Sequence, residues 1–271
     1  MKVKDITNCL EAFSPLKHAE DFDNVGLLVG DYQMDVSGVL VALDALEEVI
    51  DEAIENKCNL VVSFHPIIFK GLRKINGNSY VERVVVKAIH HNIAIYAIHT
   101  ALDNCDKGVN AKICEVLGLT NQKILIPKNN HDSGVQHISN QNPTVGMGMI
   151  GEFTKAFEEK DFINYLKKTM KTNCVRHSKL LGKPVRRVAV LGGSGSFAIE
   201  NAIEKKADVF VTSDLKYHDF FRAENQLVLA DIGHFESEQF TVDLLVDVIQ
   251  KKFPNFTVFF SKKHLNPINY S

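Results

Sequence analysis

Six polar side chains sit where apolar runs of the sequence end: His65 after LVVSF, His99 and Asp103 after IAIYAI, Asp214 after VFVTS, and His234 with Glu238 after VLADIG. Imidazoles and carboxylates gathered at several such ends are the donor types that hold divalent cations. His234 and Glu238 are four residues apart at the entry to SEQFTVDLLVDVIQ, so one helical turn presents both to the same point as a chelating pair. Asp103, in the polar stretch HTALDNCDKG, offers a carboxylate able to bridge two cations, although a turn residue or helix cap would look the same. In GHFESE the competing reading is a helix start, with Ser237 as cap and the acidic residues at the positive end of the dipole.

The elements that must position these groups are legible from residue 38 onward. SGVLVALDA, LEEVIDEAIEN, LVVSFHP, YVERVVVKAIHHN, IAIYAIHT and GVNAKICEVLGL read as alternating strands and helices. Short Val- and Ile-rich runs with little polar alternation suit strands covered on both faces, and connections of this length suit parallel crossovers. The pattern restarts near residue 185 with VRRVAVLGGSGS, FAIENAIEKK, ADVFVTSD, a helix near HDFFRAENQ, LVLADIGH, SEQFTVDLLVDVIQKKF and FTVFFS. The expected fold is α/β: two αβα layered domains with mainly parallel sheets. They run over residues 1–126 and 145–271, and the C-terminal helix and strand are free to pack back on the first domain. The Asn-, Ser-, Gly- and Pro-rich stretch 127–144 is the candidate linker. Ligands of open parallel sheets bind beyond the strand carboxyl ends, where all six polar groups fall.

Composition narrows the partners. Lys plus Arg number 31 and Asp plus Glu 33, so no global field draws the chain to nucleic acid or an acidic membrane. No basic stripe or aromatic platform favours polynucleotide binding. With no apolar h-region in MKVKDITNCLEAF and no stretch of ~20 apolar residues, the expectation is a cytoplasmic protein without a membrane span. The five cysteines form no CxxC pair and read as reduced thiols, and Cys105 beside Asp103 needs no role as a ligand.

Several other residues could serve a reaction. His99, His218 and Asp214 could move protons. Lys216, in DLKYHDF, could meet an anionic substrate, as could Lys70, Arg73 and Lys74 if they are more than a solvated face. Gly193 and Gly195, in LGGSGS between a strand and a helix, stand where a phosphate-cradling turn would, but the stretch lacks the full GxGxxG and the P-loop lysine. Its other reading is a tight turn that lets helix pack on strand. Asp23 and Asn24 could order the site by hydrogen bonds or be ordinary turn chemistry, and His90 and His91 suit the negative end of a helix.

Six ordered stretches carry a resemblance over nearly the whole chain: EDFDNVGLLVG at 20–30, FHPIIFKGLRKI at 64–75, AIHTALDN at 97–104, LGGSGS at 191–196, TSDLKYHDF at 212–220 and DIGHFESE at 231–238. Through them the chain resembles the GTP cyclohydrolase 1 type 2 homologues, the Nif-three-like dinuclear metal proteins. The resemblance implies metals in a cleft between two α/β domains and a ring-shaped homohexamer. His65, Asp103, His234 and Glu238 match its metal-binding positions. It further implies one or two divalent ions (Zn, Mn, Fe, Co or Ni), a nucleotide or related small-molecule ligand, and GTP hydrolysis or, alternatively, a non-catalytic metal-handling or adaptor role. Two departures stand out. The family usually has two adjacent histidines before the proline, whereas Phe64 fills the first position here, which implies weakened or single-metal occupancy. Relatives of this type often carry an inserted domain of roughly a hundred residues where this chain has only the short 127–144 stretch.

Overall fold

A computed structural model describes residues 1–128, 144–263 and 266–271. In chain order the elements are α1 (Val3–Phe13), β1 (Gly26–Val29), β2 (Val39–Ala42), α2 (Glu47–Glu55), β3 (Leu60–Ser63), α3 (Tyr80–His90), β4 (Ala94–Ala97), α4 (His99–Asp103), α5 (Val109–Leu117), β5 (Thr120–Pro127), β6 (Gly146–Phe157), α6 (Glu159–Thr169), β7 (Arg176–His177), β8 (Val185–Ser194), α7 (Ile199–Glu204), β9 (Val209–Ser213), β10 (Val228–Asp231), α8 (His234–Glu238), α9 (Thr241–Lys252) and β11 (Val258–Phe260). They form two compact units, residues 1–102 with 241–267 and residues 103–240 with 268–271.

The first unit is built on the sheet β1-β4-β3-β2-β11. Strands β2, β3 and β4 are buried at every position, which is why their sequences are unbroken apolar runs. They pair in parallel with one another, and β11 adds to β2 in parallel; β1 runs antiparallel to β4. One core gathers Leu40, Val61 and Ile95 with Val49, Ile50 and Ala53 of α2 and Val84, Val85 and Ala88 of α3. Helix α1 packs on α9, which lies on β2 and β11, so the C-terminal helix and strand belong to this unit. Buried Glu52 of α2 fastens the end of β11: its carboxylate accepts from Ser261 Oγ at 2.5 Å and from the Lys262 N–H at 3.0 Å.

The second unit holds the sheet β5-β6-β8-β9-β10-β7. Its centre, β8-β9-β10, is parallel, while β5, β6 and β7 join antiparallel, so this sheet is mixed. Leu125, Ile150, Ala189, Leu191, Phe210 and Leu229 form a core with Ala198, Ile199 and Ala202 at α7, and α5 packs against β6 and β8.

Contacts divide the chain inside α4, between Leu102 and Asp103, and again between Phe240 and Thr241. They do not divide it at 127–144, because β5 and β6 on either side of that stretch pair with each other in one sheet. Residues 129–143 of the expected linker lie outside the described residues. No described helix is long and apolar enough to cross a membrane, and all five cysteines are free thiols.

Candidate metal centre

In the first unit the parallel register sets the ends of β2, β3 and β4 side by side, with Ala42 opposite Ser63 and Ser63 opposite Ala97. The residues that follow inherit this placement. The His65 N–H donates to the Leu43 carbonyl at 2.8 Å and the His99 N–H to the Phe64 carbonyl at 2.9 Å. His65 Nδ1 lies 3.0 Å from Asp44 Oδ1 at the end of β2. A carboxylate has no proton to give, so Nδ1 carries the hydrogen and Nε2 is the ring atom left to bind a cation.

His99 repeats the device. Its Nδ1 lies 2.9 Å from Asp23 Oδ1, and Asp23 Oδ2 accepts from the Thr100 N–H at 3.1 Å and from Thr100 Oγ at 2.5 Å. The Asp23 side chain is fully covered. Burial, the largest single influence, favours its neutral form, but the bonds from His99 and Thr100 outweigh it and hold the carboxyl down at about 2. His99 itself has φ +23°, a backbone state a side-chain-bearing residue enters only under constraint. Phe64 is fully buried, its ring 4.9 Å from His65 and 5.5 Å from His99.

In the second unit, β9 ends at Ser213 and Asp214 turns the chain with φ +57°. Asp214 Oδ2 accepts from His234 Nδ1 at 2.7 Å and from Ser194 Oγ at 2.5 Å. The His234 bond, ahead of the opposing effect of burial, holds the Asp214 carboxyl below its usual range. His234 Nε2 faces Glu238 Oε2 at 3.1 Å, the i, i+4 partner expected from the sequence. Burial disfavours a charged imidazole, yet with a carboxylate on each nitrogen the ring is pushed up to about 10. The two loops are braced from below by buried Asp231, which accepts from the Leu215 N–H at 2.9 Å and the Gly233 N–H at 3.1 Å and pairs with Arg176.

Gly193 makes room for this arrangement. Its φ is +69°, and a Cβ there would stand 2.5 Å from Glu238 Oε1. Its N–H donates to Ser237 Oγ at 2.9 Å, the Gly192 N–H donates to Asn110 Oδ1 at 2.9 Å, and a Cβ on Gly195 would collide with Thr212 Oγ. The Gly193 N–H is thus engaged inside the unit, and close packing leaves no room for a side chain at either glycine, which is the tight-turn reading weighed beside a phosphate cradle. Gly193→Ala should cost about 2 kcal/mol, from the left-handed backbone and the displaced carboxylate, and lower the Tm by roughly 5 °C, readable by calorimetry.

The other expected residues are placed as follows. Asp103 belongs to the second unit, where its carbonyl accepts from Asn110 Nδ2 at 3.2 Å. His218 is exposed on a short 3-10 turn against Tyr217 and Phe221 and makes no hydrogen bond among the described residues. Lys216 is exposed too, its N–H donating to Asp219 at 2.8 Å. Lys70, Arg73 and Lys74 lie on an exposed loop, and His90 and His91 close α3 in solvent. In the second unit His234 and Glu238 offer an imidazole and a carboxylate 3.1 Å apart, and in the first unit His65 offers an imidazole at a strand end. Such donors suit a divalent transition metal, and the Nδ1–carboxylate pairs on both imidazoles fit the way metal-ligating histidines are oriented. Asp44 escaped the sequence reading although it too ends a strand, in VALDA.

The comparisons with known proteins agree with this reading of the motifs. The profile of the Duf34/NIF3 (NGG1p interacting factor 3) family matches residues 1–267. A Clostridium acetobutylicum protein named GTP cyclohydrolase 1 type 2 homolog is 33% identical over 276 residues, covering 100% of this chain and 99% of its own. A Staphylococcus epidermidis protein of the same name is 27% identical over 367 aligned positions, with both chains fully covered, so it carries sequence that this chain of 271 residues lacks. Among solved structures, a Staphylococcus aureus protein is 31% identical with a TM-score of 0.89, and a Bacillus cereus protein related to NIF3 is 26% identical with a TM-score of 0.90; each match covers 100% of this chain and 99% of that one. The chain belongs to the Duf34/NIF3 family.

Proposed function

We propose that the chain binds a divalent metal through His65, Asp103, His234 and Glu238 and acts as a metal-dependent hydrolase on a nucleotide or related small molecule. One observation carries the reading: in each unit an imidazole at a strand end gives its Nδ1 hydrogen to a carboxylate, His65 to Asp44 and His234 to Asp214. The name GTP cyclohydrolase 1 type 2 homolog, borne by the relatives, makes GTP the first substrate to try. A bound cation would supply Lewis acidity, lowering the pKa of water toward ~7.

The residues divide the remaining work. His65 and His234 present Nε2, and Glu238 presents an oxygen in the space that Gly193, having no Cβ, leaves open. Asp44 and Asp214 fix ring tautomer and direction, so Asp214 is a positioning residue rather than the proton carrier considered from sequence. Of the residues expected to move protons, His99 keeps Nε2 without a hydrogen bond among the described residues.

Buried Phe64 cannot ligate, which favours one strongly held ion over two and gives weight to a second reading, a metal-handling or adaptor protein without turnover. Elemental analysis of the purified chain beside Phe64→His tests the first point: occupancy should rise from about one ion per chain toward two. Equal occupancy near two ions in both would overturn it. Incubating metal-loaded protein with GTP and a panel of phosphoesters tests the second. Product that disappears in Asp103→Ala supports the hydrolase; no metal-dependent turnover supports the adaptor. The ring-shaped hexamer belongs to the same proposal, and sedimentation velocity reads it directly.

A further inference from the structure

We infer that His99 is itself a metal ligand, supplying together with His65 the second imidazole that Phe64 withholds. The inference rests on the metal-binding reading above and adds a residue to it.

Five observations within the first unit meet at His99. Its Nδ1 hydrogen is given to a carboxylate, as in His65 and His234, so all three rings are set with Nε2 as the donor atom. The carboxylate in question, Asp23, is fully covered and is held by four hydrogen bonds, from His99, from the Thr100 N–H and hydroxyl and from the Asn24 N–H, so the ring is anchored rather than merely touching a neighbour. Nε2 makes no hydrogen bond among the described residues, and the side chain keeps 19% of its surface open, enough for a small ion to reach it. The backbone accepts φ +23° to hold this position.

The fifth observation is distance. The His65 and His99 rings lie 5.3 Å apart, centroid to centroid, at an interplanar angle of 73°. Two imidazoles bound through Nε2 to one tetrahedral ion at ~2.1 Å place their centroids about 5.2 Å apart. The pair therefore needs little movement to share a cation. Phe64 sits against both rings and offers only carbon, so the histidine absent from 64 is replaced by one anchored from β1's approach to β4. A role for His99 that was only structural would account for the bond to Asp23, but not for an Nε2 left open beside a second imidazole whose Nδ1 is likewise bonded to a carboxylate.

Loading the full-length protein with Co2+ and recording its proton NMR spectrum tests this. Each ligating imidazole whose Nδ1 keeps its hydrogen gives one exchangeable, paramagnetically shifted N–H resonance. Three such signals are expected, from His65, His99 and His234, with two remaining in His99→Ala and three returning in His99→Ala/Phe64→His. Affinity for Co2+ should fall at least tenfold in His99→Ala and recover in the double variant, with circular dichroism confirming that each variant is folded. Two shifted signals in the wild-type protein, or an unchanged spectrum in His99→Ala, would overturn the assignment while leaving the metal-binding reading intact. No shifted signal at all would overturn both.

Discussion

From about pH 9 down to about pH 6, the affinity of this chain for a divalent metal should fall by about a thousandfold. His234 is the reason. In the metal-free chain both of its nitrogens face carboxylates, Asp214 at 2.7 Å and Glu238 at 3.1 Å, and the ring holds its second proton up to about pH 10. A cation can reach Nε2 only by displacing that proton, so each unit of pH below about 10 should weaken binding about tenfold. The sign for the metal-free fold is opposite. A raised pKa contributes stability that is fully present below the unfolded value of about 6.5 and is lost as pH rises through about 10. The metal-free Tm should therefore decline across this window while metal affinity climbs. Calorimetric titration with Zn2+ in buffers of different ionisation enthalpy reads both the slope and the proton released per ion. A flat affinity across the range, with no proton release, would show that His234 is already neutral before the metal arrives.

How much of this was legible in the sequence differs from residue to residue. The strand ends were legible because β2, β3, β4, β9 and β10 are buried at every position and write themselves as largely apolar runs, as does the central VAVLGG of β8. Wherever such a run stops at a His or Asp, the end of a parallel strand is marked, and His65, His99, Asp214 and His234 were found that way. The His234–Glu238 pair followed from helical spacing alone and is seen at 3.1 Å. Asp44 obeys the same rule and was passed over, because the sequence shows one strand end at a time and not that β2 and β3 stand in register.

Asp23 was harder. It precedes β1, and only the antiparallel pairing of Gly26 with Ala97 carries it to the end of β4, where His99 waits. Nothing in the local sequence encodes that long-range pairing. The unit boundaries were hidden for a related reason. Composition points to the polar stretch 127–144, but the chain passes between units within the short helix α4 and at Phe240–Thr241, where no Gly or Pro punctuates it. A crossing made inside regular structure leaves no compositional trace, whereas the polar stretch of sequence between β5 and β6 leaves a strong one.

Asp214→Asn should weaken metal binding by about 10- to 100-fold while leaving the fold in place. Asn is the substitution that separates charge from shape. It tolerates the left-handed backbone at φ +57°, and its side-chain oxygen can still accept from His234 Nδ1 and Ser194 Oγ. The lost quantity is the negative charge that makes Nε2 a stronger donor and steadies the ring. Asp214→Ala would remove the hydrogen bonds as well and add backbone strain, so it should cost stability too. If Asn binds metal as tightly as the natural residue and only Ala weakens it, the carboxylate is a spacer and its charge is irrelevant. The two variants also bear on the pH dependence. Asp214 is one of the two carboxylates that raise the His234 pKa, so in the Asn variant the ring should lose its proton at lower pH and the affinity curve should level off earlier. A titration of the His234 ring by NMR in the metal-free variant gives that midpoint independently, and agreement between the two would tie the proton on Nε2 to the weakness of binding at low pH.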